Sequence, residues 1–380
     1  MTVITTLPIA PNDEPNIMFF LSQFLADVLS ELTGNQLILP FNILGVKQAI
    51  KAAQLDNHLN ILSRLGINPQ QTWIDSLNIN QNLAQKACDF LYWHNIVQVL
   101  PSQILFCECG KLEMLKNSEH GVNGKVYEVK ENKTKCKICG SQAKTKNVSS
   151  LMLSVPSTPL KVFPQEIRKR AEESIKEISS RKWRISRIRK TGFQVCIENQ
   201  FFYLDIDFLW MLYSLDLLNK SYAIDTLVAS TRTLRKAIIF CQLALLFGIN
   251  IEKLVLHPYV KLINSNSNQY NMVALLNRYG RDVCRLFLAH GLMLGNLECE
   301  LSSSEFFWIL KSIDILCNII EKLEINNNFS IEKILQNIIA QQTKTTLSKI
   351  RKDPSARINE DNLISIKSIM KGCERNEKIC

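Results

Sequence analysis

IDTLVASTRTLRKAIIFCQLALLFGINIEKLVLHPYV, residues 224–260, sets two short apolar runs on either side of a longer segment with helical spacing. IDTLVAS is short, apolar and β-branched, and reads as a strand. TLRKAIIFCQLALLFG carries helical apolar spacing and is closed by Gly248, a residue that lets the chain leave a helix in a left-handed turn. KLVLHPYV reads as a second strand. Strand, helix and strand at this spacing predict a right-handed parallel βαβ unit. One such unit cannot close a core, so the rest of the chain must supply further strands.

Working outward, Met18 to Leu32 is patterned as an amphipathic helix, Gln36 to Leu39 as a short strand, Asn80 to Val99 as another helix, and Val195 to Tyr203 as a strand. From Met272 on, long helical patterns dominate, among them SSSEFFWILKSIDILCNIIEKLE with Ser303 or Ser304 as N-cap. The expected architecture is an α/β core followed by a helical region.

A chain of 380 residues with 46% hydrophobic composition can bury a large core and suggests two to three domains. It has no charge-free run of roughly 18 apolar residues, so no membrane span is expected. The start, MTVITTLPIAPNDEPN, lacks a basic-then-apolar leader pattern, and a cytoplasmic location is the expectation. Cys88, Cys196, Cys241, Cys284 and Cys317 each sit in apolar runs and read as reduced core residues.

The formal charge is +10, which permits an acidic partner such as RNA. Between Arg168 and Lys190 lie ten basic residues against three acidic ones, a net of +7. Arg181, Lys182, Arg184, Arg187, Arg189 and Lys190 from this run are candidates for nucleic-acid contact. From Lys344 onward there are nine basic and five acidic residues and the breaker Asp353-Pro354, the pattern of a basic extension. A solvated face accounts for either run as readily as RNA contact does.

FCECG at residues 106–110 and CKICG at 136–140 form two cysteine knuckles, each followed by glycine. Four thiolates from two such turns suit tetrahedral Zn²⁺, and a site filled by Cys107, Cys109, Cys136 and Cys139 would be closed and structural. The first knuckle is C-x-C, tighter than the usual C-x2-C. His120, between them, has no partner at ligand spacing and reads as exposed loop.

Several segments fall in an order that resembles the class I aminoacyl-tRNA synthetases, specifically the valine, isoleucine, leucine and methionine subgroup. RKWRISRIRKTGFQV (181–195) is similar to the W-x-I-S-R-Q-R-x-x-G segment, and YLDIDFLWMLY (203–213) to the aspartate-aromatic stretch. IDTLVASTRTLRKAII resembles D-V-L-V-x-G-x-D-I. RYGRDVCRLFL (278–288) matches Y-G-x-D-x-x-R-x-x-L, and TLPIAPNDEPNIMFFLSQFLADVL (6–29) resembles P-Y-x-N-G-x-x-H-I-G-H with its trailing A-D-V. The resemblance covers most of residues 1–300 and implies a doubly wound parallel sheet of Rossmann type, split by a zinc-ribbon insertion and followed by helices.

On this alignment both signature motifs are degenerate. The His-Ile-Gly-His motif falls on Asn16, Ile17, Met18 and Phe19, losing both imidazoles that hydrogen-bond ATP phosphates and the glycine that admits the adenine. The K-M-S-K-S-x-G-N loop falls on KLINSNSN (261–268), keeping Lys261, Ser265 and Asn268 but placing Asn264 where the second lysine stabilises phosphate charge. In G-x-D, glycine falls on Ser230 and aspartate on Arg232, reversing a charge in the substrate pocket.

The resemblance implies halves of the Rossmann-like domain at 1–100 and 181–270, a connective insertion with the ribbon at 101–180, a helical stem with a partial anticodon-binding-like region at 271–345 and a basic tail at 346–380. There is no room for the large editing domain. The expected function is that of a synthetase-like protein lacking ATP-dependent amino-acid activation, which binds tRNA, a genuine synthetase or another protein. The alternative is an active aminoacyl-tRNA ligase or amino-acid-activating enzyme with a divergent ATP site. Length favours the methionine-like plan and I-S-R-x-R the valine or isoleucine one, so no amino acid is assigned.

Overall fold

The computed structural model describes residues 2–12, 15–43, 48–78, 81–107, 109, 112–114, 127–130, 133–136, 138–187, 193–220, 222–263, 270–291 and 298–321. The first part of the chain runs β1 (Thr2–Thr6), α1 (Leu21–Thr33), β2 (Gln36–Phe41), α2 (Gln48–Arg64), β3 (Gln71–Ile74), α3 (Asp75–Asn78) and α4 (Gln81–Trp93). An excursion follows, with β4 (Val97–Phe106), β5 (Leu112–Met114), β6 (Tyr127–Lys130), β7 (Lys133–Cys136), β8 (Lys144–Ser154), β9 (Val162–Phe163), α5 (Gln165–Ser179) and β10 (Lys182–Arg184). Then come β11 (Ser186–Arg187), β12 (Gln194–Ile197), β13 (Gln200–Leu204), α6 (Ile206–Asn219), β14 (Ala223–Ser230), α7 (Leu234–Leu246) and β15 (Ile251–His257). The described chain closes with β16 (Tyr259–Ile263), α8 (Met272–Gly291), β17 (Glu298–Ser302) and α9 (Ser303–Glu321).

The βαβ reading of residues 224–260 is borne out. β14 and β15 are parallel neighbours from Ile224 opposite Ile251 to Ser230 opposite His257, and α7 connects them. They belong to a six-stranded sheet of order β3-β2-β1-β14-β15-β9 in which every pairing is parallel. Both faces of a parallel sheet must be covered, and the apolar residues alternate accordingly. Val3, Ile38 and Leu227 pack with α4, α5, α6 and α7, whereas Ile4, Leu37 and Val228 pack with α1, α2, α8 and α9.

Two sequence expectations are corrected. The helix expected through Val99 ends at Trp93, because Asn95 takes a left-handed conformation (φ 57°) and the Ile96 N–H returns to the Leu91 carbonyl. Val97 to Phe106 is instead strand β4, paired antiparallel with β8 along its whole length from Val97 opposite Leu153 to Phe106 opposite Lys144. The single strand expected over Val195–Tyr203 is a hairpin, turned at Glu198 and Asn199, both at positive φ. β10 and β5 flank the β4–β8 pair to give a four-stranded sheet that leaves the core and carries the cysteines.

The helical region is also more articulated than its periodicity suggests. α8 kinks at Gly280, whose φ of 76° suits glycine, and β17 pairs parallel with β16 before α9 starts. The cap of α9 is Ser302 rather than Ser303 or Ser304. Its hydroxyl accepts from Glu305 N–H while the Glu305 carboxylate accepts from Ser302 N–H, a reciprocal capping box. α8 is fastened to α1 by a buried ion pair: Arg285 donates to Asp27 at 3.1 Å and to the Leu65 carbonyl at 3.1 Å, with its guanidinium 5.1 Å from the Phe24 ring centre. Asp27 and Arg285 are the acid of A-D-V and the base of Y-G-x-D-x-x-R, so the fold joins two of the recognised segments directly.

Candidate ligand cleft and cysteine cluster

From β1 the sheet grows through β2 and β3 on one side and through β14 and β15 on the other. The connections therefore diverge between β1 and β14, the switch point where open α/β sheets hold ligands beyond the strand C-termini. A cleft of about 640 Å³ lies there, lined by the segments that follow β1, β14 and β15 and by the start of α1. It brings together Asn16, Met18, Phe19, Ser230, Arg232 and Lys261, positions onto which the resemblance maps signature residues. Asn264, Ser265 and Asn268 lie outside the described residues.

Each of these side chains has a local role in the structure. Asn16 caps the short 3-10 turn 17–20, its side-chain oxygen accepting from Phe19 N–H at 3.2 Å. Phe19 packs edge-on against Phe20 and His58 at ring separations of 5.9 and 5.6 Å. A phenyl ring and a methionine, Met18, thus form an apolar wall where hydrogen-bond donors were the family expectation. Lys261 leaves β16 to pair with Glu300 of β17 at 3.0 Å, which pushes its pKa up and offsets its charge. Ser230 accepts from Arg232 N–H, and the Arg232 guanidinium lies 4.6 Å from the Tyr259 ring centre and donates to its hydroxyl at 2.7 Å.

Three polar residues of the cleft escaped the sequence analysis. His257 is buried; its Nδ1 lies 2.9 Å from the Pro258 carbonyl, which can only accept. Nδ1 therefore carries the proton, and Nε2 accepts the Ser22 hydroxyl at 2.7 Å. Burial holds the imidazole down to about 4, against the opposing pull of the Pro258 carbonyl, so it is neutral at pH 7. Gln23 is 1% exposed and its carboxamide oxygen has no hydrogen-bond partner among the described residues. A glutamine between Leu21, Phe24 and Leu25 on a buried helix face was the available signal for it.

At the far end of the β4–β8 pair, the sulfurs of Cys107, Cys109, Cys136 and Cys139 all lie within 4.8 Å of one another. Cys107 faces Cys139 at 3.1 Å and Cys109 faces Cys136 at 3.7 Å. Four sulfurs around one ion at about 2.3 Å sit about 3.8 Å apart, so this donor set fits a single tetrahedral metal. The second knuckle turns at Gly140 (φ 72°), where Gly140 N–H bonds the Cys136 carbonyl. Hydrogen bonding from Ser141 lowers the Cys139 thiol, while Cys107, despite a backbone hydrogen bond at Cys109, is pushed up by its hydrogen bond with Cys139, so within this pair Cys139 is the one favoured as thiolate. Gly110 and His120 lie outside the described residues, while Cys88, Cys241 and Cys284 are buried as expected and Cys196 is half-buried.

Comparison with solved structures decides what this arrangement of sheet, cleft and ribbon is. The chain is similar to a crystal structure of Mycobacterium tuberculosis methionyl-tRNA synthetase bound by methionyl-adenylate, with a TM-score of 0.64 at 12% identity, over 98% of this chain and 83% of that one. The fold is that of a class I aminoacyl-tRNA synthetase. A second methionyl-adenylate complex of the Mycobacterium tuberculosis enzyme gives 0.60 at 13% identity, over 98% and 83% of the two chains. Its free form gives 0.58 at 11% identity, over 98% and 78%. No family model and no curated protein matches the sequence. At such identities the synthetase-like fold is held by pattern and topology, which is why the segments quoted above matter more than any single residue.

Of the basic candidates, Arg181 is exposed, with its guanidinium 3.6 Å from Glu177, and Lys182 is half-buried, donating to Gln98. Arg184 is only 4% exposed, and burial lowers its pKa to about 10, so its side chain belongs to the fold rather than to the surface. The side chain of Arg187, and Arg189 and Lys190 entirely, lie outside the described residues. Arg168, Lys169, Arg170 and Lys176 are exposed along α5, where they alternate with Glu166, Glu172, Glu173 and Glu177, so the helix carries no net charge and Arg168 pairs with Glu172 at 3.0 Å. No helix among the described residues is long and apolar enough to cross a membrane.

Proposed function

We propose that this chain is a synthetase-like binding module that does not activate an amino acid with ATP, and that it acts on tRNA or on a protein partner. The observation that carries this reading is the chemistry of the switch-point cleft. Transition-state stabilisation in phosphate chemistry rests on preorganised donors aimed at the phosphates. The corresponding wall here is Met18 and Phe19, Asn16 spends its side chain on a helix cap, and the Lys261 charge is met by Glu300. The alternative, an active ligase with a divergent site, draws support from the preserved cleft and from Lys261 within it.

The exposed cations Arg168, Lys169, Arg170 and Arg181 are the groups offered to a phosphate backbone, with Glu172 and Glu177 as the competitors for Arg168 and Arg181. Binding of unfractionated tRNA is expected to weaken steeply as salt rises from about 50 to 200 mM, and replacing Arg168, Lys169, Arg170 and Arg181 by glutamine should flatten that slope by up to one per lost contact. ATP should bind no better to the parent chain than to the Lys261→Ala variant. A saturable ATP site dependent on Lys261 contradicts the module reading. Absence of tRNA binding leaves the protein partner.

The cysteine cluster holds zinc in this reading, as a structural ion that pins the tip of the ribbon. Elemental analysis should find one zinc per chain, and Cys136→Ser should lose it while the core sheet persists. Zinc-free protein with four reactive thiols contradicts that assignment.

A further inference from the structure

Among the described residues, the lining of the switch-point cleft contains two cations, Arg232 and Lys261, and no carboxylate. Lys261 is matched from outside by Glu300. Arg232 is exposed, and its side-chain contacts are with Tyr259, through the ring face and the hydroxyl, neither of which neutralises it. Beside it, Thr233 opens the 13-residue helix α7 with no side-chain cap, so the positive end of that helix adds to the same corner. A concave site with this balance concentrates anions.

The other end of the cleft offers acceptors. The buried Gln23 carboxamide oxygen lacks a partner among the described residues, a costly condition that a donor from a ligand relieves. The Ser22 hydroxyl spends its proton on His257 Nε2 and keeps oxygen lone pairs to offer. Between the two ends, Leu7, Ile9, Met18 and Phe19 supply an apolar wall, and about 640 Å³ accommodates a molecule up to nucleotide size.

We propose that this cleft binds a small hydroxylated anion, with its carboxylate or phosphate at Arg232 and a hydroxyl donating to Gln23. The assignment rests on the reading that ATP is no longer the occupant, and it names what replaces ATP. Charge reversal at the corner where the family resemblance places an aspartate is then a change of ligand rather than simple decay.

Calorimetric titration of the full chain with ribose 5-phosphate, 3-phosphoglycerate and adenosine 5′-monophosphate tests this, with ribose and adenosine as neutral controls. At least one anion should bind with one-to-one stoichiometry and the neutral molecules should not. Preference among the three separates a phosphate from a carboxylate headgroup. Arg232→Gln, on an exposed side chain whose contacts are with Tyr259, should weaken binding about 10-fold or more with the urea midpoint of the chain unchanged. Gln23→Met, which keeps the helix face filled, should weaken a hydroxylated anion while leaving inorganic phosphate unaffected. Failure of all three anions to bind, or binding indifferent to Arg232→Gln, overturns the proposal. ATP-dependent amino-acid activation would instead contradict the functional reading beneath it, so the two failures are told apart.

Discussion

Arg285→Met is expected to cost about 3–5 kcal/mol of stability, because it strands a carboxylate in the core. Asp27 and Arg285 are 5% and 2% exposed. Burial pushes the Asp27 carboxyl upward in pKa and Arg285 pulls it back; removing Arg285 leaves the upward push alone. A carboxyl whose folded pKa exceeds its unfolded value holds its proton more tightly in the native state, so stability is lost as pH rises through that range. The deficit of Arg285→Met, read from urea midpoints, should therefore be smaller at pH 5 than at pH 8. The double variant Asp27→Leu with Arg285→Met should recover at least half of it, since replacing a buried pair costs far less than breaking one. A single-variant loss below about 1 kcal/mol would show that α8 is held on α1 by apolar packing alone.

His58→Leu is expected to stabilise the protein, and increasingly so in acid. The imidazole is fully buried among Phe19, Phe20 and Phe41, stacked on Phe20 at 4.9 Å, and neither ring nitrogen has a hydrogen-bond partner among the described residues. Replacing it with a side chain of similar volume should gain about 1–3 kcal/mol at pH 7.5, by removing an unsatisfied buried polar group. Burial pushes its pKa from 6.5 down to about 4, so the unfolded chain takes up the proton first. The parent then loses about 3 kcal/mol between pH 6.5 and pH 4, a loss the variant escapes at this position. The stability difference between variant and parent should widen across that window and stay flat above pH 7. His257 titrates in the same sense in both proteins and cancels from the difference. A pH-independent difference would mean that His58 is hydrated or paired in solution.

What the sequence disclosed and what it concealed follow from the range of the interactions. β14, α7 and β15 were legible because burial on both sheet faces imposes a continuous apolar run, and a helix between such runs leaves its own period. The cysteine cluster was legible because ligand spacing is local. Val97 to Phe106 was not: VQVLPSQILF continues the apolar character of α4, and only the left-handed turn at Asn95 separates them. His58 could not be recognised as core, since its three phenyl neighbours come from α1's lead-in and β2, far off in the chain. The Asp27–Arg285 pair joins positions 258 residues apart, so each read as a motif letter rather than as half of a contact. In the cleft, Asn16, Phe19, Arg232 and Lys261 were singled out by the resemblance, yet Ser22, Gln23 and His257 acquire meaning only from the switch point that gathers them.

Amino-acid-dependent exchange of pyrophosphate into ATP distinguishes a synthetase fold kept without adenylation chemistry from one that still performs it. Losing one preorganised phosphate donor costs about 3–4 kcal/mol of barrier, and the sequence resemblance puts Asn16 and Phe19 where the two imidazoles are expected. The purified chain should show no exchange above background with any proteinogenic amino acid, methionine included, and Asn264→Lys alone should restore none. Exchange that depends on one amino acid and is abolished by Lys261→Ala would contradict the account.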